Sequence, residues 1–442
     1  MKFVQIIKHP VLFVFLIGFS YFLLVERKPE VPSWQSKKTI QGYPRKNVIK
    51  ENKISGTNKF KLVQPEFNES WSSKNIDSKR AWRITKGDRK IIVAVIDTGV
   101  DIYHPDLVNN IWTNPGEVGL DKNGNSKESN KVDDDQNGFI DDVHGWNFSM
   151  NNNDLSDGHG HWTHIAGIIG AEGRNNSGVR GVSPKVSLMV LKYYDPKIRG
   201  LDNLRSTTDC IKYATKMGAN IINYSSGGLV KDEIEKMVIR EAGRKKILFV
   251  AAAGNEHSDS DIFKYYPADY DLPNIISVTA IDPQRNILKT SNFGKHTVDI
   301  AAPGFNIYST LPFGKYGHMT GTSQATAFVS GVASLLMAHR ENYSNPQRLI
   351  EHLLNTGEKA GQLKGKTRRQ VTLNTYRALA MFESGVGAYG NTVQNTSKLD
   401  PSLFTLNINS GDLRAPLSFE FEEDRLENLA KLFKSFNSKK KA

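Results

Sequence analysis

Three segments of this chain carry residue types that together could attack and cleave an acyl group. The first is a continuous apolar run, Lys90-Ile-Ile-Val-Ala-Val-Ile96, that ends in Asp97-Thr98-Gly99. The second, Gly160-His161-Trp162-Thr163-His164, sets a histidine ahead of an apolar helical stretch. The third, Gly321-Thr322-Ser323-Gln324-Ala325, puts a serine before a run of small residues. Each has an ordinary reading by itself: an acid closing a buried strand, a packed histidine, a helix-capping serine. In combination they have a chemical one. A serine hydroxyl is a poor nucleophile at neutral pH and needs a base to take its proton, while a carboxylate fixes the tautomer of that base. The candidates stand at 97, 161 and 323, so the fold has to bring them together.

The elements that would do so can be read from hydrophobic patterning. Short apolar runs at 186–191, 219–223, 247–253 and 275–280 alternate with helical stretches at 203–217 and 231–244. That alternation predicts an α/β domain with a mostly parallel central sheet flanked by helices. In such sheets the chemistry gathers at the carboxyl ends of the strands, which is where Asp97 falls. A helix at 374–382 closes the domain. Beyond it, alternating apolar residues at 404–408 and 417–421 predict a hairpin, and 426–436 a basic amphipathic helix expected to dock on its own domain.

Residues 65–382 resemble the subtilase family of serine proteases. Val95-Ile-Asp-Thr-Gly-Val-Asp101 is similar to its aspartate motif and is followed by His104-Pro-Asp-Leu107. Ala251-Ala-Ala-Gly-Asn255 resembles its oxyanion motif, Gly321-Thr-Ser-Gln-Ala325 its serine motif, and Asn223-Tyr-Ser-Ser-Gly-Gly228 its substrate-binding strand. The chain order Asp, His, Ser is that of subtilisin. The resemblance implies a subtilisin-like three-layer fold, here with a small C-terminal α+β extension. It implies an endopeptidase with Asp97, His161 and Ser323 as its triad and Asn255 as an oxyanion donor. Ser225, Ser226, Gly227 and Gly254 would bind substrate, an extended peptide adding along 225–227 as a strand.

Some residues depart from the pattern. Trp162 stands where the family has glycine, and its ring is expected either to narrow substrate access or to pack against the neighbouring insertion. Ser226 replaces a frequent leucine, so the site for distal substrate side chains is expected to be less apolar. Two alternative functions share the same residues: a membrane-anchored binding scaffold on a catalytically impaired subtilase fold, and a ligase passing the acyl group to an amine.

An acidic insertion, Asp133-Asp-Asp135-Gln-Asn137-Gly138-Phe-Ile-Asp141-Asp142, spaces oxygen ligands much as a calcium loop does, though His144 stands where an EF-hand has glutamate. Structural calcium is expected there on Asp133, Asp135, Asn137 and Asp141. His159, His161 and His164 cluster, but the HExxH pattern of a catalytic zinc is missing. Gly385-Val-Gly-Ala-Tyr-Gly390 matches a dinucleotide fingerprint in letters only, because it follows a helix rather than a strand.

The 442 residues carry 58 Lys and Arg against 46 Asp and Glu, spread along the chain, which fits a basic enzyme surface better than a nucleic-acid site. Cys210 is the only cysteine, so no intramolecular disulfide can form. Lys2 and Lys8 precede an apolar run at 11–25, the pattern of an export signal. The reading is therefore four segments: 1–25, signal or membrane anchor; 26–64, linker or short pro-segment; 65–382, catalytic domain; 383–442, extension. An exported monomer acting on protein or peptide substrates is expected, either secreted or anchored facing outward, with no organic cofactor.

Overall fold

A computed structural model describes residues 70–173, 179–195 and 203–381. The chain divides into units at 1–64 and 65–442, and every described residue belongs to the second. The export segment, the linker, and the C-terminal hairpin and helix expected from sequence lie outside the described residues.

Strands β1 (Gly87–Asp97), β2 (Gly145–Asn147), β3 (Lys185–Lys192), β4 (Ile221–Tyr224), β5 (Leu248–Ala252), β6 (Ile275–Ile281), β7 (Ile300–Pro303), β10 (Glu358–Lys359) and β11 (Val371–Thr372) form one sheet. Its order is β10-β11-β7-β6-β5-β4-β1-β3-β2, and only the β10–β11 pair is antiparallel. A separate hairpin joins β8 (Ile307–Leu311) to β9 (Lys315–Met319). The helices are α1 (Trp71–Asn75), α2 (Ser78–Ala81), α3 (His161–Gly170), α4 (Asn203–Lys216), α5 (Glu233–Arg244), α6 (Thr322–His339), α7 (Pro346–Thr356) and α8 (Thr375–Ala380). The expected α/β class is what is found.

Both faces of the sheet are covered, which is why its strands read as unbroken apolar runs rather than alternating ones. Along β1, Val93 and Val95 join the core beneath α3, α6, α7 and α8. Ala94 and Ile96 point the other way, into a second core with Cys210, Ile211, Val238 and Ile239 of α4 and α5. Helix α5 starts two residues later than the apolar pattern suggests because Asp232 caps it, accepting from Glu235 N–H at 2.7 Å. β1 lies between β3 and β4, so the strand order reverses beside it. The crevice at such a switch point, outside the carboxyl ends, is where an α/β sheet places its site.

Candidate active site

Asp97 closes β1 and is 4% exposed. His161 opens α3, and its Nδ1 lies 2.7 Å from Asp97 Oδ2 and 2.9 Å from Oδ1. An ionised carboxylate only accepts, so Nδ1 carries the proton and Nε2 is left as the basic nitrogen. Burial pushes the His161 pKa down, but the charge and hydrogen bond of Asp97, with the charge of Asp157, outweigh it and hold it above the ordinary 6.5.

Asp157 was not anticipated from sequence. Its buried carboxylate accepts from His159 N–H (3.0 Å), Gly160 N–H (2.7 Å), Thr163 N–H (3.1 Å), Thr163 Oγ1 (2.6 Å) and Thr98 Oγ1 (3.1 Å). It therefore supplies the N-terminal cap that Gly160 cannot, and it ties the end of β1 to the start of α3. An acid four residues ahead of His161 in a glycine-rich loop was the available signal.

Neither expectation for Trp162 holds. The side chain is fully buried in the core under β1, and its Nε1 donates to the Val95 carbonyl at 2.9 Å. The cause is helical geometry: Trp162, Ile165, Ala166 and Ile169 share the inward face of α3. The ring neither narrows the cleft nor meets the insertion.

His164 also turns inward, its Nε2 placed 2.9 Å from the Ile307 carbonyl and 3.2 Å from that of Gly317. This contact, with Thr310 Oγ1 donating to the Thr163 carbonyl at 2.6 Å, fastens the β8–β9 hairpin to α3.

Ser323 is the second residue of α6 and is 8% exposed. Its Oγ donates to the Ser225 carbonyl at 2.9 Å rather than to His161. Asp97 and His161 are thus engaged with each other, and Ser323 with the 225–227 segment. Catalytic hydrogen bonds commonly tighten only once substrate is bound. Asn255 is exposed, and its Oδ1 accepts from Thr322 N–H at 3.1 Å. That bond orients Nδ2 as a donor beside the N-terminus of α6, whose unpaired N–H groups and dipole favour negative charge.

Past β4, Ser225 is buried, Ser226 half-buried and Gly227 exposed, before Gly228 pairs with Tyr266. The stretch between carries no ladder partner among the described residues. A cavity of about 220 Å³ beside Ser226 is lined by Leu204, Leu229 and three tyrosines but also by Asn203, Thr207 and Glu235, so this neighbourhood mixes apolar with polar groups.

Of the four expected metal ligands, Asp133 and Asp135 converge, and the third member of their cluster is Glu117. One carboxylate oxygen from each lies within 4.8 Å of the others. Asp141 is not in that carboxylate cluster, and Asn137 lies beside it, bonded to Asp135. Asn137 Oδ1 accepts from Phe139 N–H while its Nδ2 donates to Asp135 and Asp142, and Asp141 Oδ1 accepts from Lys131 N–H. Those bonds hold the loop's own shape. Glu117 comes from a turn at Pro115–Glu117, too far upstream for any local spacing to reveal it. It is fully buried, its Oε1 accepts from Asp134 and Asp135 N–H, and its Oε2 has no partner among the described residues. Burial foremost, with the charges of Asp142 and Asp135, pushes its pKa up to about 7. An orphaned buried carboxylate oxygen facing two more carboxylates suits a hard, oxygen-seeking cation.

Comparison with known proteins agrees with this geometry. The family profile described as Subtilase family matches residues 88–380. Thermitase of Thermoactinomyces vulgaris is 32% identical over 309 residues, covering 70% of this chain and 95% of that protein. The major intracellular serine protease of Bacillus subtilis (strain 168) is 34% identical over 270 residues, covering 61% of this chain and 75% of its own. The solved structure of the prenylagaramide maturation protease PagA superposes with a TM-score of 0.51 at 28% identity, over 68% of this chain and 96% of that one.

Proposed function

Since this chain belongs to the subtilase family and is a serine endopeptidase, we propose that Asp97, His161 and Ser323 are its catalytic triad and Asn255 its oxyanion side chain. The observation that carries the assignment is the contact of His161 Nδ1 with both oxygens of a carboxylate buried at the end of β1. Ser323 Oγ attacks the peptide carbonyl carbon as its proton passes to His161 Nε2. The carbonyl oxygen takes up the negative charge, facing Asn255 Nδ2 and the Ser323 backbone N–H. Collapse breaks the C–N bond, and His161 returns the proton to the leaving amine, leaving an acyl-enzyme. His161 then takes a proton from water, whose oxygen attacks the ester carbon, and returns it to Ser323 Oγ as the C–O bond breaks and the acid is released. Asp97 keeps the proton on Nδ1 throughout and stabilises the imidazolium.

The 225–227 segment, without a ladder partner among the described residues, supports substrate binding by strand addition, with the cavity beside Ser226 taking a more distant side chain. Glu117, Asp133 and Asp135 would hold a structural calcium ion, which would neutralise their charge and tie the insertion to the Pro115–Glu117 turn. The basic residues and apolar run at 11–25 support export.

Alanine variants of the three triad residues test the assignment. Residues that act as a unit give non-additive losses, so any double variant should hydrolyse a peptide no more slowly than Ser323→Ala alone. Additive losses, or turnover retained by Ser323→Ala, would remove the assignment.

A further inference from the structure

The proposed nucleophile and substrate edge define where the side chain on the acyl side of the scissile bond must go. β4 and β5 pair in parallel as far as Tyr224 and Ala251, and the segments beyond them, 225–228 and 252–255, form two walls that meet the same aromatic ring. Ser323 Oγ contacts the Ser225 carbonyl, and Asn255 holds the N–H of Thr322. With Ser323 as nucleophile and 225–227 as the substrate edge, the carbonyl attacked would sit over the gap between the walls, and the side chain of the residue that donates it would enter that gap. The sequence shows only small residues on both sides: Ser225, Ser226 and Gly227 against Ala252, Ala253 and Gly254.

The gap is filled from below. A β-carbon placed on Gly227 would lie 2.6 Å from Cε1 of Tyr265, and one placed on Gly254 would lie 3.0 Å from Cε2 of the same ring. The phenol therefore touches both walls, and Tyr265 is only 9% exposed. Its backbone is clamped, with N–H donating to Asp269 Oδ2 at 2.7 Å and the carbonyl accepting from Asp269 N–H at 2.9 Å. The next residue, Tyr266, exchanges both backbone hydrogen bonds with Gly228, which locks the segment to the substrate-side wall. Glu256 Oε2 also lies against Gly254, where it accepts from Asn292 Nδ2 at 2.7 Å.

We propose that Tyr265 determines the specificity of this protease: by filling the gap between Gly227 and Gly254, it restricts the residue that donates the scissile carbonyl to glycine, alanine or serine. This rests on the assignment of Ser323 and of the 225–227 edge. A larger side chain would have to drive a packed ring out of its slot while both neighbouring backbone segments stay tied. One methylene in an apolar pocket already discriminates by roughly 10–200-fold. Against phenylalanine the preference for alanine is therefore expected to reach about 100-fold or more in kcat/KM.

The test is the full chain acting on a peptide library, with each cut located by mass spectrometry and matched alanine and phenylalanine peptides assayed for kcat/KM. Wild type should cut after glycine, alanine and serine. Tyr265→Gly should open the gap and raise cleavage after phenylalanine and leucine at least about tenfold relative to alanine, the low end of the single-methylene range. Tyr265→Phe, which keeps the ring, should retain the narrow profile and covers the case in which the glycine variant fails to fold. Wild-type cuts with no bias against large residues would overturn the inference while leaving the hydrolytic reading intact, and so would an unchanged profile in active Tyr265→Gly. No cut at any bond would remove the hydrolytic reading and this inference with it.

Discussion

Acidification should unfold this protein in part through His164, and the size of the effect follows from its surroundings. The ring is fully buried, its Nε2 faces two carbonyls, and its Nδ1 has no partner among the described residues. Nε2 therefore carries the single proton, and a second proton on Nδ1 would be a buried charge with nothing to accept it. Burial, reinforced by the nearby His161 and His318, lowers the pKa from the ordinary 6.5 to about 4 against the opposing pull of the two carbonyls. Between those values the unfolded chain binds a proton that the folded chain refuses, so stability rises with pH across that window. The contribution is complete above 6.5 and disappears as pH falls through 4. At about 1.4 kcal/mol per pH unit, the interval is worth about 3 kcal/mol. Urea unfolding of wild type and His164→Gln at several pH values isolates this group, because the other titrating residues are shared. Glutamine keeps one N–H donor for the hairpin carbonyls and removes the titration. The stability advantage of wild type should shrink by about 3 kcal/mol between pH 7 and pH 4. A difference that stays constant, or one that grows on acidification, would refute the reasoning.

Asn255→Ala should lower kcat by about 10²–10³ with little change in KM, a magnitude carried over from subtilisin's own oxyanion asparagine rather than worked from this geometry; an unchanged kcat in steady-state assays would contradict the role. Trp162→Ala should cost about 3–5 kcal/mol in chemical denaturation, because it empties a fully buried site and removes the bond to the Val95 carbonyl. A loss below about 1 kcal/mol would mean that the ring is not packed as described. Calcium at about 100 times its Kd should stabilise wild type by about 2.7 kcal/mol in thermal melts. Glu117→Gln should bind the ion at least about tenfold more weakly, a loss of about 1.4 kcal/mol, whereas Asp141→Asn should not. Identical melting with and without chelator would remove the calcium site.

What could be read from sequence and what could not divides on physical lines. β1, β3, β4, β5 and β6 were legible because burial on both faces makes each a compact apolar run. The β8–β9 hairpin was missed because β9, Lys315-Tyr-Gly-His-Met319, is half-exposed and mixes polar with apolar side chains. β10 and β11, two residues each, are too short to leave a period. The proposed triad was visible as motifs because each member sits at an element's end, where a strand stops or a helix begins. The inward turn of Trp162 is encoded in its spacing to Ile165, Ala166 and Ile169, the i, i+3, i+4, i+7 pattern of one helix face. Glu117 and Tyr265 are different. Each matters through a partner far along the chain, Asp133 and Asp135 for one and Gly227 and Gly254 for the other. No local pattern marks a side chain whose role is to fill a space that other segments create.

The most direct test of the central claim is the rate at which a fluorophosphonate probe labels the purified protein as a function of pH. A nucleophile activated by His161 requires that imidazole to be neutral, and Asp97 holds its pKa above 6.5. Labelling should map to Ser323, fall away as pH drops through that raised pKa, and be absent in Ser323→Ala and slowed severely in His161→Ala. Labelling at another residue, or a rate on Ser323 that neither pH nor loss of His161 alters, would contradict the account.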